Sequence, residues 1–202
     1  MKNIVVGGGI AGISIAFELL KRKEEFIIID KKTNTASEVA GGIINPIVFR
    51  RTTKSWRIDE MLPKAINFYK QLEVLIHHQF ISPITIRRFF SSEQEAETWA
   101  KKQKKEKFKD YLEELTEQDY LFSEVKNEFG SGRVKNAYWI NTKIFIEETH
   151  AFLKKENLYK NEAFEYNEID LIKKTYKSIP FNRIFFCEGH QVKNNPFFNK
   201  FG

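Results

Sequence analysis

Apolar positions change their period several times along the chain, and each change predicts an element. Residues 2–6, KNIVV, form a short β-branched run that suits a strand buried on both faces. Ile13, Ala16, Phe17 and Leu20 then recur at helical spacing, and the segment closes in Lys21, Arg22 and Lys23, cations that favour a helix C-terminus. A second apolar run, Phe26–Ile29, reads as another buried strand. Leu62, Ile66, Tyr69, Leu72 and Ile76 mark an amphipathic helix from Asp59 to His78, with Pro63 in its first turn. The adjacent His77 and His78 lie at its C-terminal end, where cation–dipole interaction accounts for them better than metal binding. ITIRRFF, residues 84–90, reads as a strand entered through Pro83. Ser92 with Glu95 is a capping box, opening a helix through about Lys109. Gly130-Ser131-Gly132 reads as a turn, residues 134–140 as a strand, and Thr142–Glu156 as a helix with Ile144, Ile146 and Phe152 on apolar positions.

GGGIAG joins the first strand to the first helix, and Gly7, Gly9 and Gly12 in it match G-x-G-x-x-G. Asp30 closes the second strand near the ~20-residue spacing of a ribose-binding acid. Gly7 permits the tight turn, Gly9 lets backbone approach a pyrophosphate, and Gly12 allows the helix to sit close against the strand. Free N–H groups and the helix dipole hold phosphate charge. Asp30 can accept both ribose hydroxyls and repels a 2′-phosphate, which disfavours NADP. Both FAD and NAD use such a turn, so the motif alone leaves the dinucleotide open. Downstream, Gly41-Gly42 marks a loop where backbone can again approach a ligand, and Asn45-Pro46 reads as a turn.

Composition changes this picture little. The chain has 202 residues, 42% hydrophobic and 30% charged, enough for one sizeable domain or two small ones. Lys+Arg 33 against Asp+Glu 27 leaves +6, most of the cations being lysine. Lys101, Lys102, Lys104, Lys105, Lys107 and Lys109, with Glu113, Glu114, Glu117 and Asp119 following, read as a solvated face rather than an RNA-binding patch. The single cysteine, Cys187, excludes an intrachain disulfide framework and Cys-rich zinc sites. No apolar run is long enough to span a bilayer, and the N-terminal stretch lacks a secretory pattern, so the expected setting is cytoplasmic.

The glycine motif followed by Ser37, Ala40, Gly41 and Gly42 in the form S-x-x-A-G-G, then Ile43, Ile44, Asn45 and Pro46, resembles the FAD-dependent oxidoreductases of the D-amino-acid oxidase superfamily. That group includes glycine oxidase and the oxidase domain of a bifunctional tRNA-modifying enzyme. Arg50, Arg51, Ser55 and Trp56 are similar to the version in the tRNA-modifying relatives. The two arginines also read as solvated charges, and Trp56 as packing between loop and helix. The resemblance implies an α/β fold: a Rossmann-like FAD-binding domain, residues 1–56 and 141–202, with an inserted α+β substrate domain over 57–140, truncated at its C-terminus. It implies a cofactor-facing set of Gly7, Gly8, Gly9, Ile10, Ala11, Gly12, Asp30, Lys31, Ser37, Ala40, Gly41, Gly42, Asn45, Ile169 and Gly189, and assigns no catalytic residue or metal. Ala163–Ile169 would be a strand passing the adenine. Arg183–Cys187 would be a strand leading to a Cys187-Glu188-Gly189 turn, in which Glu188 departs from the family's small residue. Cys187 itself reads as packing.

The implied chemistry is hydride transfer from a small amino acid or secondary amine to flavin N5. The alternatives are a tRNA wobble-uridine modification oxidase and a non-catalytic dinucleotide-binding fragment. Family members continue beyond the length of this chain, so the resemblance implies that this portion alone is inactive and that Phe197, Phe198 and Phe201 are exposed.

Overall fold

The computed structural model describes residues 1–31, 36–113 and 125–198. Glu114, Glu117, Asp119 and Phe201 lie outside the described residues. Two compact units are present: Met1–Gly41 with Leu75–His78 and Thr142–Gly202, and Gly42–Val74 with Gln79–Asn141. In chain order the elements are β1 (Lys2–Val6), α1 (Ile10–Lys21), β2 (Phe26–Ile29), α2 (Ala36–Val39), β3 (Ile43–Ile44), β4 (Ile47–Val48), β5 (Thr53–Lys54) and α3 (Ile58–Ile76). There follow β6 (Ile81–Phe89), α4 (Glu93–Gln103), β7 (Ser131–Ile140), α5 (Thr142–Lys155), β8 (Tyr159–Lys160), β9 (Ile169–Asp170), β10 (Thr175–Tyr176) and β11 (Ile179–Phe186).

In the first unit a sheet runs in the order β8-β2-β1-β11-β10-β9. β8, β2, β1 and β11 are parallel, and β10 and β9 extend the edge antiparallel. Interior parallel strands are covered on both faces, which is why β1 and β2 read as unbroken apolar runs. The alternation splits them between two cores. Val5, Phe26 and Ile28 meet Ala16 and Leu19 of α1 and Leu153 of α5, whereas Ile4, Val6, Ile27 and Ile29 meet Tyr176 and Phe181. Each such side chain removed from water stabilises by about 1.5–3 kcal/mol.

The second unit holds a three-stranded antiparallel sheet, β3-β7-β6, and the β4–β5 hairpin. Its core gathers Ile47, Ile58, Leu62, Phe90, Phe108, Leu112 and Val134 around Trp99. Gly132 is not in a turn, as its neighbours led us to expect, but within β7, where an added Cβ would lie 2.2 Å from the Trp99 ring.

Other local expectations are corrected by packing. α4 ends at Gln103 instead of Lys109, and Glu106–Phe108 forms a separate 3-10 turn that buries Phe108. Ser92 caps α4 by accepting from Glu95 N, but the Glu95 carboxylate turns to Arg88 and to Ser91 N rather than completing the box. Pro63 lies inside α3, past its first turn. His77 takes the left-handed φ of +57° at the helix end, and His78 Nδ1 lies 3.1 Å from the Ile76 carbonyl. Residues 163–168 are not a strand: Phe164 stacks on Tyr176 at 4.3 Å, and a 3-10 turn covers Tyr166–Glu168. Trp56 does not pack between loop and helix; it is 77% exposed, with the Arg57 guanidinium 5.2 Å from its ring.

Candidate functional site

The carboxyl ends of β1, β2 and β11 and the N-terminus of α1 enclose a cavity of about 380 Å³ in the first unit. β1 is followed by Gly7, whose N–H donates to the Ile29 carbonyl at 2.9 Å. Its φ is +99°, and a Cβ there would lie 2.4 Å from the Cys187 carbonyl oxygen, so only glycine fits. Gly9 is the N-cap of α1 and offers no capping side chain. Gly9, Ile10 and Ala11 line the cavity, so the partial positive charge of the helix N-terminus lies beside it. Ile10 N–H finds Ser37 Oγ at 3.3 Å, which leaves the Ser37 proton for a ligand. A Cβ on Gly9 would lie 3.0 Å from that same Oγ.

Asp30 follows β2 and lines the cavity. Its Oδ2 accepts from the Tyr159 hydroxyl at 2.7 Å. Burial, then the Asp30 carboxylate, pushes the Tyr159 phenol far above its ordinary value, so it stays a donor. On the other wall, the Glu188 carboxylate accepts from the Tyr166 hydroxyl and from Asn195 Nδ2, the latter at 2.7 Å. Burial and then the Glu188 charge raise the Cys187 thiol above its ordinary value. Cys187 packs against the core around Val5 as well as lining the cavity.

Of the residues singled out from sequence, Gly7, Gly8, Gly9, Ile10, Ala11, Asp30, Lys31, Ser37 and Gly189 line this cavity together. Gly12 lies behind the turn, where its Cβ would fall 1.9 Å from the Gly7 carbonyl oxygen. Ala40 accepts from Thr142 Oγ1 at 3.0 Å, and an added Cβ on Gly41 would meet no heavy atom within 4 Å. Gly42 and Asn45 belong to the second unit. There the Gly42 carbonyl accepts from Ile140 N, and Asn45 Oδ1 from Ile47 N at 3.0 Å. Ile169 packs against the Ile4 core and is not in the lining. Arg50 and Arg51 are exposed at a 3-10 turn of the second unit.

Sequence reasoning passed over Phe164, His190 and Gln191 in the lining, and His150 and Tyr159 behind it. A signal for His150 existed: it interrupts the buried stripe of Phe145, Ile146 and Leu153 on α5. Among the described residues no group of three or more His, Cys, Asp or Glu could hold a metal ion, and no helix is long and apolar enough to cross a membrane.

The family described as DAO, FAD dependent oxidoreductase, matches residues 2–156. Among solved structures the fold is similar to L-proline dehydrogenase from P. horikoshii, at 18% identity and TM-score 0.62, over 93% of this chain and 52% of that one. It is similar to glycine oxidase from Geobacillus kaustophilus, at 16% identity and TM-score 0.60, over 79% and 45%. It is also similar to L-amino acid deaminase from Proteus vulgaris, at 15% identity and TM-score 0.58, over 78% and 38%. The chain thus spans about half or less of the length of these proteins.

Proposed function

The chain belongs to the family of FAD-dependent oxidoreductases, and from that premise we propose that its first unit holds the ADP half of FAD in the glycine-lined cavity. The observation that carries this reading is the cradle at Gly9, the N-cap of α1 without a capping side chain, which lines the cavity and where an added Cβ would crowd the Ser37 hydroxyl at 3.0 Å. These residues fit the group. The first N–H groups of α1 and its dipole attract the diphosphate. The Ser37 hydroxyl, already accepting from Ile10, can donate to a phosphate oxygen. The Asp30 carboxylate accepts from the ribose.

When bound, FAD supplies the two-electron acceptor for hydride removal from the α-carbon of an amine. We propose a small amino acid or secondary amine as the substrate class, because the similar structures carry the names proline dehydrogenase, glycine oxidase and amino acid deaminase. The second unit in this reading contributes part of the substrate domain, and the single cysteine fits a reducing, cytoplasmic setting. The tRNA-modifying alternative draws no support from the fold or the comparisons.

The test is FAD binding by the wild-type chain and by Gly9→Val, followed through flavin fluorescence. Wild type should bind, whereas the variant should lose affinity at least about tenfold with an unchanged far-ultraviolet circular dichroism. Equal affinity in the two proteins would remove the diphosphate from the glycine turn.

A further inference from the structure

Two buried polar side chains stand directly behind the glycine turn and outside the cavity lining. His150, on α5, is 3% exposed, and its Nε2 lies 2.7 Å from the Gly8 carbonyl oxygen. A carbonyl oxygen only accepts, so His150 Nε2 carries the proton and donates. Tyr159, on β8, donates to Asp30 Oδ2 at 2.7 Å. The two rings lie in tilted contact, centroids 4.7 Å apart and planes 43° to one another, so displacing one disturbs the other. Gly8 fits closely between His150 and the Asp30 carboxylate that Tyr159 holds: a Cβ there would lie 2.7 Å from both Asp30 Oδ2 and His150 Nε2.

We infer that His150 and Tyr159 are positioning residues that preset the site for a dinucleotide, His150 by turning the Gly8–Gly9 peptide and Tyr159 by fixing the Asp30 carboxylate. The inference rests on the cavity being the FAD site. In a planar trans peptide the C=O of one residue and the N–H of the next point in opposite directions. With the Gly8 oxygen drawn inward to His150, the Gly9 N–H is turned outward, toward the cavity that Gly9 lines. The flipped peptide would present a carbonyl oxygen to the diphosphate and repel it. Tyr159 meanwhile donates to Oδ2 of Asp30, which fixes the orientation of the carboxylate that would accept from the ribose.

The two roles separate experimentally. ADP and FAD affinities, and the ³¹P chemical shifts of bound ADP, are measured on the full 202-residue chain as wild type, His150→Ala, His150→Gln and Tyr159→Phe. His150→Ala should weaken both ligands about tenfold or more and move the ³¹P resonances, because the N–H aimed at the diphosphate is no longer held. His150→Gln, which keeps an N–H donor, should recover most of that loss. Tyr159→Phe should weaken both ligands about tenfold while leaving the ³¹P shifts in place, since it acts on the ribose side. Circular dichroism shows which variants fold, and if His150→Ala does not, the glutamine and phenylalanine variants decide. Wild-type affinities within about twofold in the variants, or losses without this split in the ³¹P shifts, would overturn the inference alone. Wild type that binds neither ADP nor FAD would overturn the cavity assignment and the inference with it.

Discussion

Gly9 and Gly12 belong to one motif yet answer to different neighbours. An added Cβ on Gly9 meets the hydroxyl of Ser37, a side chain that can swing aside, whereas on Gly12 it meets the Gly7 carbonyl oxygen at 1.9 Å, a backbone atom that cannot. Gly12→Ala should therefore destabilise the fold by about 2 kcal/mol, in the range of other overpacked cores. Gly9→Ala should cost less than about 1 kcal/mol, the scale of an altered N-cap. Urea midpoints compare the two, and equal midpoints would contradict the argument. Gly189 is a third kind of position: its φ is +55° and nothing lies within 4 Å of an added Cβ. Gly189→Ala should cost about 1 kcal/mol from backbone strain alone, read from the same unfolding curves. The spacing of the glycines was legible in the sequence. The atom each one faces was not, because Gly7 is fixed by the Cys187 carbonyl, which arrives only when β11 returns beside β1. Gly132 was misread for the same reason, its partner Trp99 lying on a different element.

Elements bounded by their own sequence were read well, and those ended by tertiary packing were not. β2 begins and ends with its apolar run, and β1 covers the predicted KNIVV segment, Lys2–Val6. α4 stops short at Gln103 because Phe108 must turn into the Trp99 core, and the lysines that continue a helical composition do not register that demand. The start of α4 is more informative. Burial raises the Glu95 carboxyl, but the Arg88 guanidinium and the Ser91 N–H and hydroxyl outweigh it and hold it below its ordinary value. A lowered carboxylate stabilises the fold above its unfolded pKa, and that contribution is lost as pH falls through the folded value. Glu95→Gln should thus lower stability by about 1 kcal/mol at pH 7, with the gap to wild type closing below the ordinary pKa of 4.5. Urea unfolding at neutral and acid pH checks this, and a gap that persists in acid would mean that packing, not charge, is at stake.

At the scale of the first unit, strand order is what assembles the site, and no local pattern announces it. β11 comes from the far end of the chain to pair with β1, and β8 pairs with β2, which brings Glu188, Gly189 and Tyr159 to the turn at Gly7–Gly12. The resulting cavity offers a glycine backbone, the Ser37 hydroxyl, the Asp30 carboxylate and the Phe164 ring, a set matched to a diphosphate, a ribose and a planar base. All of these belong to the ADP half of FAD in the reading proposed above. It follows that ADP should compete for the site, with affinities for ADP and FAD within about tenfold of each other, or about 1.4 kcal/mol. An isoalloxazine enclosed as a buried aromatic side chain is would add about 3 kcal/mol or more, separating the two ligands by over a hundredfold. Titration of the 202-residue chain with each ligand therefore shows which half of the cofactor this cavity recognises. Near-equal affinities place recognition at the glycine turn and Asp30, whereas FAD binding a hundredfold or more tighter than ADP would place a second recognition surface on the chain.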